Sequence, residues 1–347
     1  MQNMNSRHAV LTVVLVLVAG SAAVSPASSQ VGRDDKICAD TTNAEAAIKA
    51  CTRLYENQGL GKRNRAIALG NRGAAYKSLG RYPEAIADFD QASELDSDNP
   101  QYYGQRGDVH IRTGELDTAI EDFTTALNHS SRFAWGYQGR GRAYLAKGNG
   151  EQAVADFNQA LKLKPGDFIL LTQRGRASNL AKNYEQAVSD LSKAMKLAKF
   201  ETLLPKERAD LIAQRGFAYV KQRRLSEARA DVDNALKLAP KSAFAIGVGG
   251  LVDEEDGNRD NARSAFNRAL AIEPDLQLAK AGLDRLGGGG QADDADKDRE
   301  PVAQSEPPKR SGESSKRRKE DDEPSDGPEM CAKYIPEIGR TVKIKCD

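Results

Sequence analysis

From residue 66 onward, small and large apolar positions return at one fixed interval. Segments written from Ala66, Pro100, Ala134 and Phe168 align without a gap at a period of 34 residues. Two more begin at Ala209 and Ala243, after an insertion of seven residues around Phe200 to Lys206. Position 8 is Gly in all six: Gly73, Gly107, Gly141, Gly175, Gly216 and Gly250. Position 20 is Ala (Ala85, Ala119, Ala153, Ala187, Ala228, Ala262), and so is position 27 (Ala92, Ala126, Ala160, Ala194, Ala235, Ala269). Position 24 is large and apolar: Phe89, Phe123, Phe157, Leu191, Val232 and Phe266. Pro165, Pro240 and Pro274 fall at position 32. Positions 20, 24 and 27 share one face of a helix, being three or four apart. Two helices packed at about 8–10 Å leave room only for Gly or Ala where their backbones come closest. The large residue fills the gap beside them. One repeat is too small to bury its own stripe, so neighbours must stack. Gly80, Gly114, Gly148 and Gly257 mark the turn between helices, where a left-handed backbone is cheap for Gly. Lys182 and Arg223 replace that Gly in the fourth and fifth repeats, which leaves room for different turns there.

The period, the Gly-Ala-Phe-Ala-Pro frame and the run Gly80-Arg-Tyr-Pro-Glu-Ala-Ile86 resemble the tetratricopeptide repeat family. The resemblance implies an all-α fold, a right-handed superhelical solenoid of antiparallel helix pairs. Its repeats are 66–99, 100–133, 134–167, 168–201, 209–242 and 243–276, together spanning 66–276. It further implies a concave surface lined by first helices, of the kind that commonly holds an extended peptide or a partner helix. Ala44 to Leu54 resembles a second helix without its first, since Ala47-Ile48 aligns with Ala85-Ile86. Residues 30–65 are therefore expected to be a cysteine-bearing half-repeat, with Cys51 in the core position of Phe89. Residues 275–286 read as a capping helix whose apolar side is Leu276, Leu278, Leu283 and Leu286. The insertion carries Pro205, which opens helices but does not sit inside them. It either lengthens the first helix of the fifth repeat or acts as a hinge.

Five repeats carry Arg at position 7, where the family more often has Leu: Arg72, Arg106, Arg140, Arg174 and Arg215. One reading is a basic rail for an acidic ligand. The other is an ion pair with position 23: Asp88, Asp122, Asp156, Asp190 and Asp231. In the sixth repeat these positions are Gly249 and Ala265, so both partners vanish together. Joint loss favours pairing between the two helices of a repeat.

The remaining face of the first helices is expected to line the groove. It includes Lys77, Gln101, Asp108, Trp135, Gln138, Arg142, Ile169, Arg176, Asn179 and Lys221, a mildly basic mixture with one large aromatic. Trp135 either anchors a ligand side chain, as Trp does at hot spots, or packs within the stack. The carboxylate clamp of heat-shock co-chaperones needs Lys at position 5. That position is Gly70, Gly104, Gln138, Thr172, Ala213 and Gly247, which disfavours such a clamp. The glycines are expected to leave shallow pockets.

Outside the repeats, Arg7 and His8 precede a charge-free apolar run, Ala9 to Ala19, and an Ala- and Ser-rich stretch from Gly20 to Gln30. Residues 1–29 therefore read as a cleaved export signal, with cuts after Ala23, Ala27 or Ser29. The rival is a membrane anchor, but even counted generously to Val24 the run is about 16 residues against the roughly 20 that a spanning helix needs. Cys38, Cys51, Cys331 and Cys346 all lie outside the six repeats, and an even number in an exported chain favours disulfides. Three pairings are formally possible, with neighbours favoured. Each neighbour bridge closes a loop of about 13–15 residues, worth about 3 kcal/mol by chain entropy. Residues 287–329 are polar, charged and rich in Gly, Ser and Pro, and are expected to be a disordered linker. Lys316-Arg-Arg-Lys319 within them is flanked by acids, which disfavours nucleic-acid binding. Residues 330–347 form a cysteine-bounded tail, with strand-like alternation of Val342, Ile344 and Cys346 against Thr341, Lys343 and Lys345. This tail can dock on the array or bind something else.

Composition alters this picture little. With 51 basic and 50 acidic residues there is no global field toward nucleic acid or an anionic membrane. Three histidines occur, His8 in the signal and His110 and His129 in repeat two, both at positions that packing explains. No metalloprotease, nucleophile-elbow, redox or phosphate-cradling motif is present. The expectation is a non-catalytic scaffold in the periplasm or outside the cell, with no metal and no cofactor. Its partner is a protein or peptide held in the concave groove. The alternative is a structural subunit of an envelope or secretion assembly, docking through its C-terminal tail.

Overall fold

The computed structural model describes residues 26–40 and 42–287, together with two strands, 330–335 and 340–345; residues 26–29 and the strands are described by backbone alone. The export signal lies mostly outside these residues, as do the linker 288–329 and the Cys331–Cys346 bridge.

The described chain opens with α1 (Pro26–Cys38) and α2 (Ala44–Glu56). Then come α3 (Lys62–Ser78) with α4 (Tyr82–Leu95), α5 (Pro100–Thr113) with α6 (Leu116–His129), and α7 (Ala134–Ala146) with α8 (Gly150–Leu163). The fourth repeat is α9 (Phe168–Leu180) with α10 (Tyr184–Met195), followed by the short α11 (Ala198–Glu201). The fifth is α12 (Pro205–Lys221) with α13 (Leu225–Leu238), the sixth α14 (Ala243–Glu255) with α15 (Arg259–Ile272), and α16 (Gln277–Arg285) closes the stack. Each helix packs on its own partner and on the next repeat, giving a solenoid. The core is correspondingly a chain of local clusters along the stack.

The recurrent residues set that packing. Phe89, Phe123, Phe157 and Phe266 are fully buried. A Cβ built at Gly141 would lie 2.9 Å from the Phe157 ring, so position 8 has no room for a side chain. Lys182 and Arg223 do not change their turns. Their φ angles are 59° and 57°, left-handed like Gly80, Gly114, Gly148 and Gly257. The closing bonds match as well: Asn183 N–H donates to Ser178 O at 2.8 Å and Arg224 N–H to Tyr219 O at 2.9 Å, as Glu115 N–H does to His110 O.

One expectation needs correction, and the alternative left open at the insertion is decided in favour of a lengthened helix. The leading segment is a full helix pair. The expected lone second helix, α2, packs on α1, whose residues Val31 and Ile37 join the cluster around Cys51 and Leu54. A disulfide joins Cys38 to Cys51, with Cα atoms 4.9 Å apart, and Arg53 donates to the buried Asp34 at 2.5 and 3.0 Å. Helix α1 escaped the sequence pattern because it is short of apolar residues and begins at Pro26, inside the stretch assigned to the leader. The insertion is packed: Phe200 of α11 is buried, Arg208 lies over its ring at 5.0 Å, and Pro205 opens an α12 four residues longer at its start than the repeat frame requires.

In the tail, β1 (Met330–Ile335) and β2 (Arg340–Lys345) form an antiparallel pair that runs from Met330↔Lys345 to Ile335↔Arg340. The backbone of β1 comes within 8 Å of α5.

Candidate functional site

The position-7 arginines point inward. Each donates from Nε and Nη2 to the aspartate sixteen residues on, at 2.5–3.1 Å across Arg72–Asp88, Arg106–Asp122, Arg140–Asp156, Arg174–Asp190 and Arg215–Asp231. All five aspartates are buried. The Asp88, Asp156 and Asp231 hydrogen bonds hold the guanidinium pKa values of Arg72, Arg140 and Arg215 above their ordinary value. A third donor, Nη1, was not anticipated. It reaches back to position 25 of the preceding repeat: Thr52 at 2.9 Å, Asp90, Thr124 at 3.0 Å, Asn158 at 2.6 Å and Ser192 at 3.2 Å. Each arginine therefore ties three helices together. The basic-rail reading fails on this geometry, because the charges face the core of the stack.

On the groove side, the structure answers most of the expected charges with partners from a neighbouring repeat. Asp108, only 5% exposed, accepts from Lys77 at 3.0 Å, Arg142 at 3.0 Å and Arg112 at 3.4 Å. Burial pushes its pKa up, but the charges of Lys77 and Arg142 outweigh that and hold it at about 2. Asp108 thus gathers cations from three successive first helices, α3, α5 and α7. Lys77 also reaches Gln105 at 2.6 Å, and Gln138 pairs with Gln173 at 3.2 Å. Arg176 pairs with Asp210, and Asn179 donates to the Gln214 carbonyl at 2.9 Å. The partners Gln105, Gln173 and Gln214 recur at position 6, a signal in the sequence that could have exposed them.

The other expected groove residues separate. Gln101 is exposed on α5. Trp135 is half-buried and packs within the stack. It meets Phe123 and Phe133 edge to face at 6.3 and 5.6 Å, and its ring covers Gly104, where an added Cβ would lie 2.8 Å away. The shallow pockets expected at position 5 are filled in this way, since Tyr102 likewise covers Gly70 and Leu278 covers Gly247. Lys221 falls one residue beyond the groove frame, exposed beside the Phe217 ring at 5.5 Å. His110 is buried with Nδ1 2.6 Å from Glu115, whereas His129, expected in the core, is exposed and stacks on Tyr103 at 5.1 Å.

At α9 the face differs. Asn179 is 7% exposed, and its Oδ1 has no hydrogen-bond partner among the described residues; nor has Arg176 Nε one turn away. At the two ends of the same helix, Ile169, 50% exposed, and Leu180 present uncovered apolar surface. One acceptor, one donor and a hydrophobic step suit a ligand that offers both backbone amides and apolar side chains.

Comparison with known proteins agrees with this architecture. A family model described as TPR repeat matches residues 73–114, and one described as tetratricopeptide repeat matches residues 134–167. A search of the curated proteins finds no match for the chain. Among solved structures, it is similar to a tetratricopeptide repeat protein from Parabacteroides merdae, at 16% identity and TM-score 0.50, over 74% of this chain and 97% of that one. It is also similar to the C-terminal part of a TPR repeat-containing protein from Cytophaga hutchinsonii, at 19% identity and TM-score 0.50, over 73% and 99%. A chain of the APC/C hetero-tetramer Cut9–Hcn1 matches at 18% identity and TM-score 0.51, over 76% of this chain and 56% of that one. At these identities the likeness is one of fold.

Proposed function

The chain being a tetratricopeptide repeat protein, we propose that it is a non-catalytic scaffold of the cell envelope that holds an extended segment of a partner protein against α9 and α12. The carrying observation is the pair of unanswered polar atoms, Asn179 Oδ1 and Arg176 Nε, on a helix whose start exposes Ile169. A buried polar group without a partner costs about 1–3 kcal/mol. Both atoms are covered by neighbouring side chains, so a peptide backbone supplies an N–H to the first and a C=O to the second once those side chains move aside, and its own side chains cover Ile169. Asp210 and Gln214 on α12 already orient both residues from the far side.

The envelope location rests on the apolar N-terminal run and on the Cys38–Cys51 disulfide, which persists in oxidising compartments. Among the described residues no helix is long and apolar enough to cross a membrane. Cleavage after Ala23 leaves α1 whole, whereas a cut after Ala27 or Ser29 removes its first turn. The first of the three sites is therefore favoured.

The test is capture from periplasmic extract by the full chain, Arg176→Ala, Asn179→Ala and the second-helix control Gln159→Ala. Capture falls at least about tenfold in the first two variants, the equivalent of about 1.4 kcal/mol, and is unchanged in the control. Equal capture by all four overturns the assignment.

A further inference from the structure

We propose that the tail hairpin, β1 with β2, is a built-in occupant of the concave face at α5, so that a groove ligand competes with the protein's own C-terminus. The placement follows from what surrounds α5. Second helices α4 and α6 pack on it from one side, and first helices α3 and α7 flank it. These four helices leave its concave face open, and β1 comes within 8 Å of α5. We assign the hairpin to that open face.

Charge supports the same seat. The face offers Lys77 and Arg142 around the single carboxylate of Asp108. The strands themselves carry Lys333, Arg340, Lys343 and Lys345, so the attraction comes from the chain that leads into β1, whose residues 320–329 include Glu320, Asp321, Asp322, Glu323, Asp326 and Glu329 and no base. Length is no obstacle, because about 40 residues reach roughly 130 Å when extended. A flexible tether of that kind gives an effective concentration of about 1 mM. A hairpin that binds in trans at about 100 μM is then docked in roughly nine molecules in ten, and it weakens any competing ligand about tenfold. The consequence for function, which rests on the peptide-binding reading above, is regulation. A ligand confined to α9 and α12 leaves the tail in place, whereas one that extends over α5 must displace it.

Two readouts test this without any outside partner. A photo-reactive benzoylphenylalanine at Gln101, exposed on α5, is irradiated in the full chain, with Glu121 on α6 as the control site. The expected product is an intramolecular adduct between residue 101 and a peptide from 330–345, found by mass spectrometry and missing from the Glu121 sample. A labelled synthetic peptide of residues 320–347 is then titrated into the full chain and into a chain ending at Gly287, which retains every core cluster of the array. Anisotropy is expected to show binding at least about tenfold tighter to the shortened chain, weakened again by Lys77→Ala with Arg142→Ala. No tail adduct at residue 101, or equal affinity for the two chains, overturns the proposal. Either failure leaves the α9–α12 site untouched, and loss of that site leaves these readouts unchanged.

Discussion

Removing Arg140 and Asp156 singly and together measures what the struts contribute. The Asp156 side chain is 6% exposed and that of Arg140 21%. Arg140 donates to the carboxylate at 2.9 and 2.8 Å and to Thr124 at 3.0 Å. Arg140→Ala leaves a buried carboxylate with no counter-charge, a change that costs about 3–5 kcal/mol. Asp156→Ala costs less, about 2–3 kcal/mol, because the longer and more exposed arginine can swing toward water while keeping Thr124. With both gone, no buried charge is stranded, and the loss is about 2–4 kcal/mol of packing and cavity terms. The singles therefore sum to more than the double, and the coupling energy is about 3 kcal/mol. Repeat six already lives with the double replacement, as Gly249 and Ala265. Urea unfolding followed by far-UV circular dichroism gives the four free energies, provided that the slope stays constant across the set. A coupling below about 0.5 kcal/mol at constant slope refutes the strut.

Three further outcomes follow from the same structure. Asp108 is held at about 2 by Lys77 and Arg142, below its ordinary 3.8, so its contribution is complete above about pH 4 and fades as pH falls through 2. Asp108→Asn should remove about 2 kcal/mol of the acid-limb loss between pH 4 and 2 while lowering stability at neutral pH, as seen in urea midpoints against pH. Lys182→Gly and Arg223→Gly relieve left-handed non-glycine backbone and should each raise stability by about 0.5–1 kcal/mol; lower midpoints refute this. Reducing the Cys38–Cys51 disulfide should speed amide exchange in α1 and leave α12 to α16 unchanged, because each repeat contacts only its neighbours. Uniform acceleration along the chain contradicts it.

The repeats were legible because close helix contact admits so few residues: the small position 8 and the large position 24 recur since nothing else fits Gly141 against Phe157. The Arg–Asp pairing was legible because Gly249 and Ala265 lose both partners together. The third arm of each strut was not, since any oxygen serves at position 25, and Thr52, Asp90, Thr124, Asn158 and Ser192 share no residue type. The groove pairs were hidden for a different reason. Lys77 and Arg142 meet at Asp108, and Arg176 meets Asp210, only through the offset between successive repeats, which a one-dimensional pattern does not contain. That offset also decides Trp135, whose ring is occupied with Gly104 and Phe123. Attention consequently moves from Trp135 and Arg142 to Arg176, Asn179 and Ile169.

The most direct test of the peptide-holding face is photo-crosslinking in living cells from Ile169, which is half exposed near the start of α9, ten residues before Asn179. The account predicts adducts to another protein from residue 169, none from Gln159 on α8, and loss of the adduct when Asn179→Ala is added. Adducts that survive Asn179→Ala, or that form equally from Gln159, contradict it.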